Sequence, residues 1–277
     1  MPIIYVQDYI RRWDLVPDGD PIETPHSTLI PVRLDGESAM LKIATAEEER
    51  AGAKLMVWWE GDGAAEVYAL DGEAVLMERA TGERSLSEMA RKGADDEATR
   101  IICRAAAELH AERGRPLPAL VPLSRWFEAL WPVADEHGGL FEVAADLARR
   151  LIAEEREQVV LHGDLHHGNI LDFGNRGWLA IDPKGLFGER TFDFVNLLRN
   201  PDAEVALEPG RFDRQSELIC HAANLDQARF LEWTVAFACL SAAWILDGGD
   251  EPTLDLAVAR LAAARLGIGE RKSRSSR

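Results

Sequence analysis

The chain of 277 residues is poor in cysteine and in basic side chains. Its three cysteines lie far apart within apolar helical patterns, so we expect buried free thiols without a disulfide framework or a cysteine-bound metal. The 31 Lys and Arg residues stand against 48 Asp and Glu, and the net charge is −17. This argues against a nucleic-acid partner, because a phosphate backbone needs a basic face. A negative field favours cationic ligands, although it can also serve solubility alone.

Long apolar runs are absent as well. No run approaches the roughly 18 residues of a membrane span, and the polar residues among 1–14 do not fit a secretory signal. We therefore expect no membrane partner. The free thiols indicate the cytoplasm, and we also expect a monomer. The basic segment 267–277, which includes two glycines, is expected to be a disordered tail.

Two patterns divide the rest of the chain. Residues 1–79 are strand-rich: Asp-Gly turns join 27–34 to 37–44 and 64–70 to 74–78, and one helix is predicted over 45–59. Residues 80–266 are mostly helical, with short strands at 159–161, 170–173 and 178–181. The predicted helices are 85–91, 95–113, 123–134, 140–155, 191–198, 211–223, 225–246 and 253–266. This is an α+β chain with a small β-rich N-terminal part and a larger helical C-terminal part.

The segment His162–Ile170, HGDLHHGNI, lies among those short strands. It places Asp164 five residues before Asn169, and Asp182 follows the next strand. Phosphoryl transfer from ATP needs a carboxylate beside the acceptor hydroxyl and oxygen ligands for magnesium, and protein kinases use an Asp, an Asn and a later Asp in this order. We predict that Asp164 is the catalytic base and that Asn169 and Asp182 bind Mg²⁺. The sequence thus indicates an ATP-dependent small-molecule kinase.

The three histidines of this segment also suggest a zinc hydrolase. The order His162, Asp164, His166, His167 does not match the His-x-His-x-Asp-His pattern of such enzymes, and no second His or Cys cluster completes a site. We expect His162 to shape the loop through a hydrogen bond, and His166 or His167 to face the substrate.

Five segments resemble one family. They are LHGDLHHGNIL (161–171), GWLAIDPKGLFGERTFDFVN (177–196), LSAAW (240–244), AMLK (39–42) and LMERA (76–80). On these segments the chain resembles the aminoglycoside phosphotransferases, and among them the streptomycin 6-kinases and hydroxyurea phosphotransferases. The resemblance implies the bilobal protein-kinase fold, ATP and Mg²⁺ as cofactors, and phosphorylation of a cationic aminoglycoside, streptomycin at its 6-position above all. It also implies that Asp193 braces the catalytic loop.

The same resemblance implies a nucleotide site in the N-terminal part. Lys42 corresponds to the lysine that grips the α- and β-phosphates, and Met40, on the same strand face, would cover the adenine. A lysine in an apolar strand needs a partner. Glu49 on the following helix is predicted, with Glu48 as the alternative because helix phase is uncertain by one residue.

Two further nucleotide contacts are expected. The backbone C=O of Glu78 and N–H of Ala80 would read the adenine edge at the hinge between the two parts. Ser27, in the segment 25–28, would cover the phosphates, although the G-x-G-x-x-G pattern of protein kinases is absent there.

The helical part has candidates for the acceptor site. Streptomycin carries two guanidinium groups and an amine, which favour carboxylates and aromatic faces. Trp244, Asp247 and Glu251 supply both near the end of one predicted helix, and Glu189 could face either substrate or solvent. Two other functions stay open. One is a kinase for hydroxyurea or another metabolite, and the other is a nucleotide-binding regulator without turnover.

Overall fold

The computed structural model describes residues 3–24, 26–44 and 46–269. The N-terminal part is an antiparallel sheet of six strands in the order β1-β3-β4-β6-β5, with β2 paired to β3. The strands are β1 (Val16–Pro17), β2 (Ile22–Glu23), β3 (Ser27–Leu34), β4 (Glu37–Ala44), β5 (Val67–Asp71) and β6 (Ala74–Glu78). Helix α1 (Ile3–Arg12) precedes the sheet, and helix α2 (Glu47–Trp59) connects β4 to β5.

Alternation along β4 sets the direction of its lysine. Leu41 and Ile43 are fully buried in a core with Tyr9 of α1, whereas Lys42 points to the opposite face and lines a cavity. The predicted alternation of β4, which places Leu41 and Ile43 on one face and Lys42 on the other, is confirmed. Helix α1 was not predicted; it covers the outer face of the sheet, where Val6, Tyr9 and other apolar side chains pack on the strands.

The C-terminal part is mainly helical. Its helices are α3 (Leu86–Met89), α4 (Asp95–Leu109), α5 (Leu123–Trp126), α6 (Leu130–His137), α7 (Gly139–Ala153), α8 (Ala203–Ala206), α9 (Arg211–Ala223), α10 (Gln227–Asp247) and α11 (Thr253–Arg265). A π-helical turn, Ala90–Ala94, joins α3 to α4, and three 3₁₀ segments occur at Phe127–Ala129, Gly174–Arg176 and Arg190–Arg199. The predicted α+β class, with a β-rich N-terminal and a helical C-terminal part, is confirmed. The boundary at residues 79 and 80 stays a prediction, and residues 270–277 of the predicted tail lie outside the described residues.

Helix α10 is the centre of the larger core. It packs against α7, α11 and the 3₁₀ segment Arg190–Arg199. By length and composition its 21 residues could span a membrane, since a window of 18 residues has a mean hydropathy of 1.4. The sequence analysis did not expect such a segment. Most of this helix is buried inside the fold, from Phe230 to Ala243, as in the core helix of a globular protein. The three cysteines are buried free thiols, as predicted.

Five short strands hold the catalytic segment. They are β7 (Val121–Pro122), β8 (Gln158–Leu161), β9 (Ile170–Asp172), β10 (Trp178–Ala180) and β11 (Leu186–Glu189). β9 and β10 form an antiparallel hairpin, and β11 lies between β7 and β8. Because β8 ends before His162 and β9 begins after Asn169, both ends of the loop are fixed. Asp182 follows β10 and lies beside this loop.

The two parts meet through close backbone contacts. The N–H of Ala65 donates to the carbonyl of Ala180 at 2.9 Å, and the N–H of Ala180 donates to Gly63 at 2.9 Å. On α2, a Cβ added to Gly52 would lie 1.9 Å from the carbonyl oxygen of Pro183. Only glycine allows α2 to approach the loop this closely. The helix that carries Glu49 therefore rests directly on the loop that carries Asp182.

Candidate active site

A cavity of about 390 Å³ opens between the sheet and the catalytic loop. Its walls come from β3, β4 and β6, from α2, and from the loops that follow β8 and β10. The predicted site residues that line it are Ser27, Lys42, Glu49, Asp164, Asn169 and Asp182. The fold thus brings six residues from two distant regions of the sequence, 27–49 and 164–182, into one cavity.

Lys42 is the first charged centre of this cavity. Its ammonium group donates to the carboxylates of both Glu49 and Asp182. The side chain of Glu49 is 7% exposed, so this acid is held in place. The predicted pairing of Lys42 with Glu49 is confirmed, and the side chain of the alternative, Glu48, lies outside the described residues. Lys42 therefore connects the sheet, α2 and the loop after β10.

A second lysine, Lys184, was not predicted from the sequence. Its Nζ atom lies 3.2 Å from Oε1 of Glu49, 3.5 Å from Oδ2 of Asp182 and 3.9 Å from Oδ2 of Asp164. Burial lowers the pKa of Lys184, but the surrounding carboxylates outweigh burial and raise it. For Asp182 burial raises the pKa, and the two lysines outweigh it and hold the pKa well below its usual range. The sequence signal that could have identified Lys184 is its position two residues after Asp182, in Asp-Pro-Lys.

Asp164 is held by two amides. Its Oδ1 accepts a hydrogen bond from Nδ2 of Asn196 at 2.9 Å, and its backbone carbonyl accepts from Nδ2 of Asn169 at 2.9 Å. Asn200 in turn donates to the carbonyl of Asn196 at 2.9 Å. The second oxygen, Oδ2, faces Lys184, and the side chain is 31% exposed. Asn196, which the sequence analysis missed, therefore fixes the orientation of the predicted base.

Asp193 supports the loop from within the protein. Its carboxylate accepts from the N–H groups of His162 at 2.8 Å and Gly163 at 2.7 Å, and Nε2 of His110 lies 2.7 Å away. Burial raises the pKa of Asp193, but the bond to His110 and the neighbouring groups outweigh it and lower the pKa. The predicted bracing role of Asp193 is confirmed.

His162 takes the loop-shaping role that was predicted for it. Its Nδ1 accepts from the N–H of Asp164 at 3.2 Å, so Nε2 carries the proton and donates to the carbonyl of Ile181 at 2.9 Å. Burial lowers the pKa of His162, which keeps the ring neutral. The ring thereby joins the residue before Asp182 to the base, Asp164.

The other two histidines differ in access. His166 is partly exposed; its Nδ1 accepts from Gly168 at 3.0 Å, and its Nε2 lies 3.9 Å from Oδ2 of Asp164. His167 is buried, and burial lowers its pKa to about 3. Of the two candidates for a substrate-facing role, only His166 is therefore accessible beside the base. Within residues 3–24, 26–44 and 46–269, no group of three or more His, Cys, Asp or Glu side chains is arranged to hold a metal ion.

Asn169 and Asp182 have the donor atoms that Mg²⁺ requires. The amide nitrogen of Asn169 is engaged by Asp164, which leaves its oxygen as the atom for a cation. Asp182 has a φ of 59°, in the left-handed region, and its carboxylate faces the cavity. Hard oxygen donors beside a phosphate-binding cavity suit Mg²⁺, which keeps some of its ligands from water and phosphate. The residues present therefore fit a magnesium ion.

The nucleotide residues are placed less uniformly. Ser27 lines the cavity, and its N–H donates to Oγ1 of Thr24 at 2.9 Å; Pro25 of the same segment lies outside the described residues. Met40 does not line the cavity, whereas Met77, its register partner on β6, does. The apolar side of the cavity is formed instead by Leu29, Val75 and Met77. Met40 packs against the larger core beside this cavity, so its role in covering an adenine stays a prediction.

The predicted hinge contacts lie outside that cavity. The carboxylate of Glu78 binds Arg176, and its N–H donates to the carbonyl of Glu66 at 2.8 Å. Ala80 is partly buried against the core. The predicted adenine contacts use the carbonyl of Glu78 and the N–H of Ala80. The two observed bonds of Glu78 use other atoms and do not compete with these contacts, so the hinge role stays a prediction.

Trp244, Asp247 and Glu251 are at the C-terminal end of α10 and just beyond it. Trp244 is 37% exposed, and its ring packs against that of Trp126 in an edge-to-face pair with centroids 5.3 Å apart. Both acids are exposed. None of the three lines the cavity between the sheet and the catalytic loop, so their role in binding an acceptor stays a prediction.

Glu189 is not a substrate contact. Its side chain is buried, and Oε1 accepts from Nε of Arg229 at 2.7 Å while Oε2 accepts from the N–H of Arg156 at 3.1 Å. Burial raises the pKa of Glu189, but Arg229 and the other donors outweigh it and lower the pKa. The prediction that Glu189 could face the substrate is wrong, because β11 directs it towards α10.

Known proteins share this sequence and this fold. Streptomycin 3''-kinase from Klebsiella pneumoniae is 47% identical over 262 residues, which cover 91% of this chain and 98% of that protein. Streptomycin 6-kinase from Streptomyces glaucescens is 31% identical, with 95% and 88% covered. Hydroxyurea phosphotransferase from Kitasatospora aureofaciens is 30% identical, with 95% and 79% covered.

Solved structures agree in fold. Aminoglycoside phosphotransferase APH(4)-Ia has a TM-score of 0.64 at 15% identity, with 95% of this chain and 96% of that chain covered. Choline kinase LicA from Streptococcus pneumoniae has a TM-score of 0.61 at 14% identity, with 96% and 99% covered. These likenesses show the bilobal kinase fold. The sequence model of one family, the aminoglycoside/hydroxyurea antibiotic resistance kinases, matches residues 12–249 of this chain. The chain therefore belongs to this family of kinases.

Proposed function

We propose that this chain transfers the γ-phosphoryl group of ATP, with Mg²⁺, to a hydroxyl of streptomycin. The observation that carries the proposal is the cavity in which Lys42, Asn169 and Asp182 meet Asp164. Phosphate-binding and metal-binding groups there lie beside a carboxylate that is accessible to an acceptor. The choice of acceptor is supported by the Klebsiella relative, which is a streptomycin kinase and matches over 98% of its length.

The proposed position on the drug is the 3''-hydroxyl. The sequence analysis expected the 6-position, but the 6-kinases from two Streptomyces species are 29% and 31% identical, against 47% for the 3''-kinase. The higher identity therefore favours the 3''-position.

Asp164 orients the hydroxyl and accepts its proton as the bond to phosphorus forms. The transition state of phosphoryl transfer is loose, so positioning contributes more than basicity. The bond from Asn196 serves this purpose, because it occupies Oδ1 and leaves Oδ2, which has only a long contact of 3.4 Å from Asn169, to meet the acceptor. Lys42, held by Glu49, binds phosphate oxygens of ATP. Mg²⁺ at Asn169 and Asp182 supplies charge neutralisation for the phosphates.

The acceptor would dock on the helical side of Asp164. His166 lies beside the base, and the exposed Trp244, with Asp247 and Glu251, offers an aromatic face and two negative charges for guanidinium groups. The overall charge of −17 favours the same class of ligand and disfavours nucleic acid. We further propose that the protein acts as a cytoplasmic monomer.

The test is ADP release from Mg-ATP with streptomycin, kanamycin or hydroxyurea as acceptor. Asp164→Ala is the matched blank, since it removes only the base. We expect turnover with streptomycin that the variant loses, and ¹H–³¹P correlation spectra of the product that place phosphorus on the 3''-oxygen. Phosphorus on the 6-oxygen would refute the position. Turnover with hydroxyurea alone would refute the acceptor, and binding of ATP without any turnover would favour a regulator.

A further inference from the structure

Lys184 lies where the nucleotide and the acceptor must meet. Its Nζ atom is within 4.0 Å of Glu49, Asp182 and Asp164, so it faces both the metal side of the cavity and the base. Lys42 contacts Glu49 and Asp182. Among the ion pairs of the described residues, Lys184 is therefore the lysine that reaches Asp164.

The backbone holds Lys184 in this place from two sides. Its N–H donates to the carbonyl of His162 at 2.7 Å, which fixes it to the catalytic loop. The next residue, Gly185, has a φ of 68°, and its Cβ position lies 3.3 Å from the carbonyl carbon of Ala51 on α2. The side chain is 16% exposed and directed into the cavity. The backbone contacts thus set the point from which this side chain enters the cavity.

The contacts of this ammonium group are loose. Charge-assisted hydrogen bonds are normally about 2.7–2.9 Å long. Lys184 makes one hydrogen bond, to Oε1 of Glu49 at 3.2 Å, and lies 3.5 Å from Asp182 and 3.9 Å from Asp164, so all three separations exceed this length. An ammonium group has three N–H donors, and a phosphate oxygen that enters between Asp182 and Asp164 can accept one of them. A partly buried lysine of this kind is placed for an anionic ligand.

We propose that Lys184 is a catalytic residue, which donates to the γ-phosphoryl group while that group passes from ATP to the acceptor. Lys42 would hold the phosphates that stay with ADP, and Lys184 the phosphoryl group that leaves. The group passes from the bridging oxygen of ADP to the acceptor oxygen, whose proton goes to Asp164. A positive charge on the equatorial oxygens stabilises this transition state. The proposal rests on the kinase activity and is independent of which acceptor is used.

A structural alternative exists. Lys184 could serve only to balance three neighbouring carboxylates, and its loss would then weaken every property of the site. The two roles differ in how they treat the γ-phosphate. A structural counter-ion affects ADP and ATP analogues equally, whereas a γ-phosphoryl ligand distinguishes between them.

The experiment compares Lys184→Gln with Lys54→Gln, which removes an exposed lysine of α2. Calorimetry gives the dissociation constants of Mg-ADP and Mg-AMP-PNP, and neither measurement needs an acceptor. We expect Lys184→Gln to weaken AMP-PNP binding about tenfold and ADP binding by less than about threefold, since one charged hydrogen bond is lost. In turnover assays kcat should fall by about 10²-fold or more, as for the loss of a transition-state donor. The control should match the wild type.

Equal weakening of ADP and AMP-PNP, or an unchanged kcat, would overturn the proposal. Lys184→Arg covers the case in which the Gln variant does not fold, because it keeps the charge among the carboxylates. A planar guanidinium cannot occupy the position of an ammonium group. We expect kcat of the Arg variant to fall at least about tenfold with ADP affinity retained. Wild-type turnover of the Arg variant would also overturn the proposal, because it would show that only the positive charge at this position matters.

Discussion

One of the two amides that hold Asp164 fixes its Oδ1 atom. Asn196 donates to Oδ1 of Asp164, and it is itself buried and bonded to Asn200. Without this partner the carboxylate of Asp164 loses the contact that fixes its Oδ1 atom.

Asn196→Ala should lower kcat by roughly 10- to 100-fold, because misplacing a reacting group by about 1 Å costs about this much. The KM for ATP should change little, since Lys42 and Asp182 do not contact Asn196. Steady-state kinetics with saturating streptomycin measure both constants, and Asn175→Ala, an exposed change, is the control. An unaltered kcat would mean that the Asn169 contact alone orients the base.

Asp172 is the residue for which a pH effect is expected. The bond from Arg84 lowers the pKa of Asp172 to about 2, although burial acts in the opposite direction. Because the pKa is depressed in the folded state, the carboxylate stabilises the protein above about pH 4, and this stability is lost as pH falls towards 2.

Asp172→Asn should therefore be less stable than the wild type at pH 7, and the difference should narrow below about pH 4. Urea unfolding between pH 3 and 7 measures it. Asp135→Asn, which changes an exposed carboxylate, is the control. A gap that stays constant across this range would show that the charge of Asp172 is not what stabilises the fold.

At the scale of elements, the packing of α2 on the loop after β10 is the contact most sensitive to volume. Gly52→Ala places a Cβ 1.9 Å from the carbonyl oxygen of Pro183, which neither backbone can accept without moving. We expect a loss of about 1–3 kcal/mol in the free energy of unfolding, as for other overpacked sites. The KM for ATP should rise, because Glu49 moves with the helix.

Gly114→Ala is the matched change for this experiment, since nothing lies within 4 Å of its Cβ position. Thermal unfolding and ATP kinetics of the two variants are compared side by side. If both alanine variants behave alike, the close approach of α2 does not constrain the site.

The sequence predicted elements best where turns and alternation agree. The bounds of β3, β4 and β6 are as predicted, because Asp-Gly turns fix their ends. Helix α1 and the strands β7 and β11 were not predicted. β7 has only two residues and β11 contains Gly188, so neither shows a period of its own. The segment Arg190–Arg199 is a 3₁₀ segment in place of the predicted α-helix, and Asp193 is turned towards the catalytic loop there.

For the whole molecule, the catalytic motif could be predicted from the sequence because its residues lie in one short loop and just after the hairpin that follows it. Asp164, Asn169 and Asp182 lie within 19 residues of sequence, and two strands hold them together. Lys184 and Asn196 were not predicted, because their roles depend on contacts between separate elements. Glu189 was misassigned for the same reason, since the direction of its side chain follows from packing that sequence alone does not give.

The net charge of −17 leads to a prediction for the whole molecule. The KM for streptomycin should rise roughly three- to tenfold between about 0.05 and 0.5 M salt, because screening weakens the attraction of a cationic acceptor. Kinetics with potassium chloride at saturating Mg-ATP measure it. A potassium chloride series with AMP-PNP binding as readout separates nucleotide effects from acceptor effects. An acceptor KM that is independent of salt would confine recognition to uncharged contacts.

The contact between Gly52 and Pro183 also bears on how the cell could control such an enzyme. A helix that touches the loop backbone to backbone cannot move closer to it, and an outward swing would break the contact of Glu49 with Lys42. We expect one working shape from the moment of folding. The rate at which a culture detoxifies its drug would then follow the number of copies that are synthesised, and gene dosage and promoter strength would be the means by which resistance rises or falls.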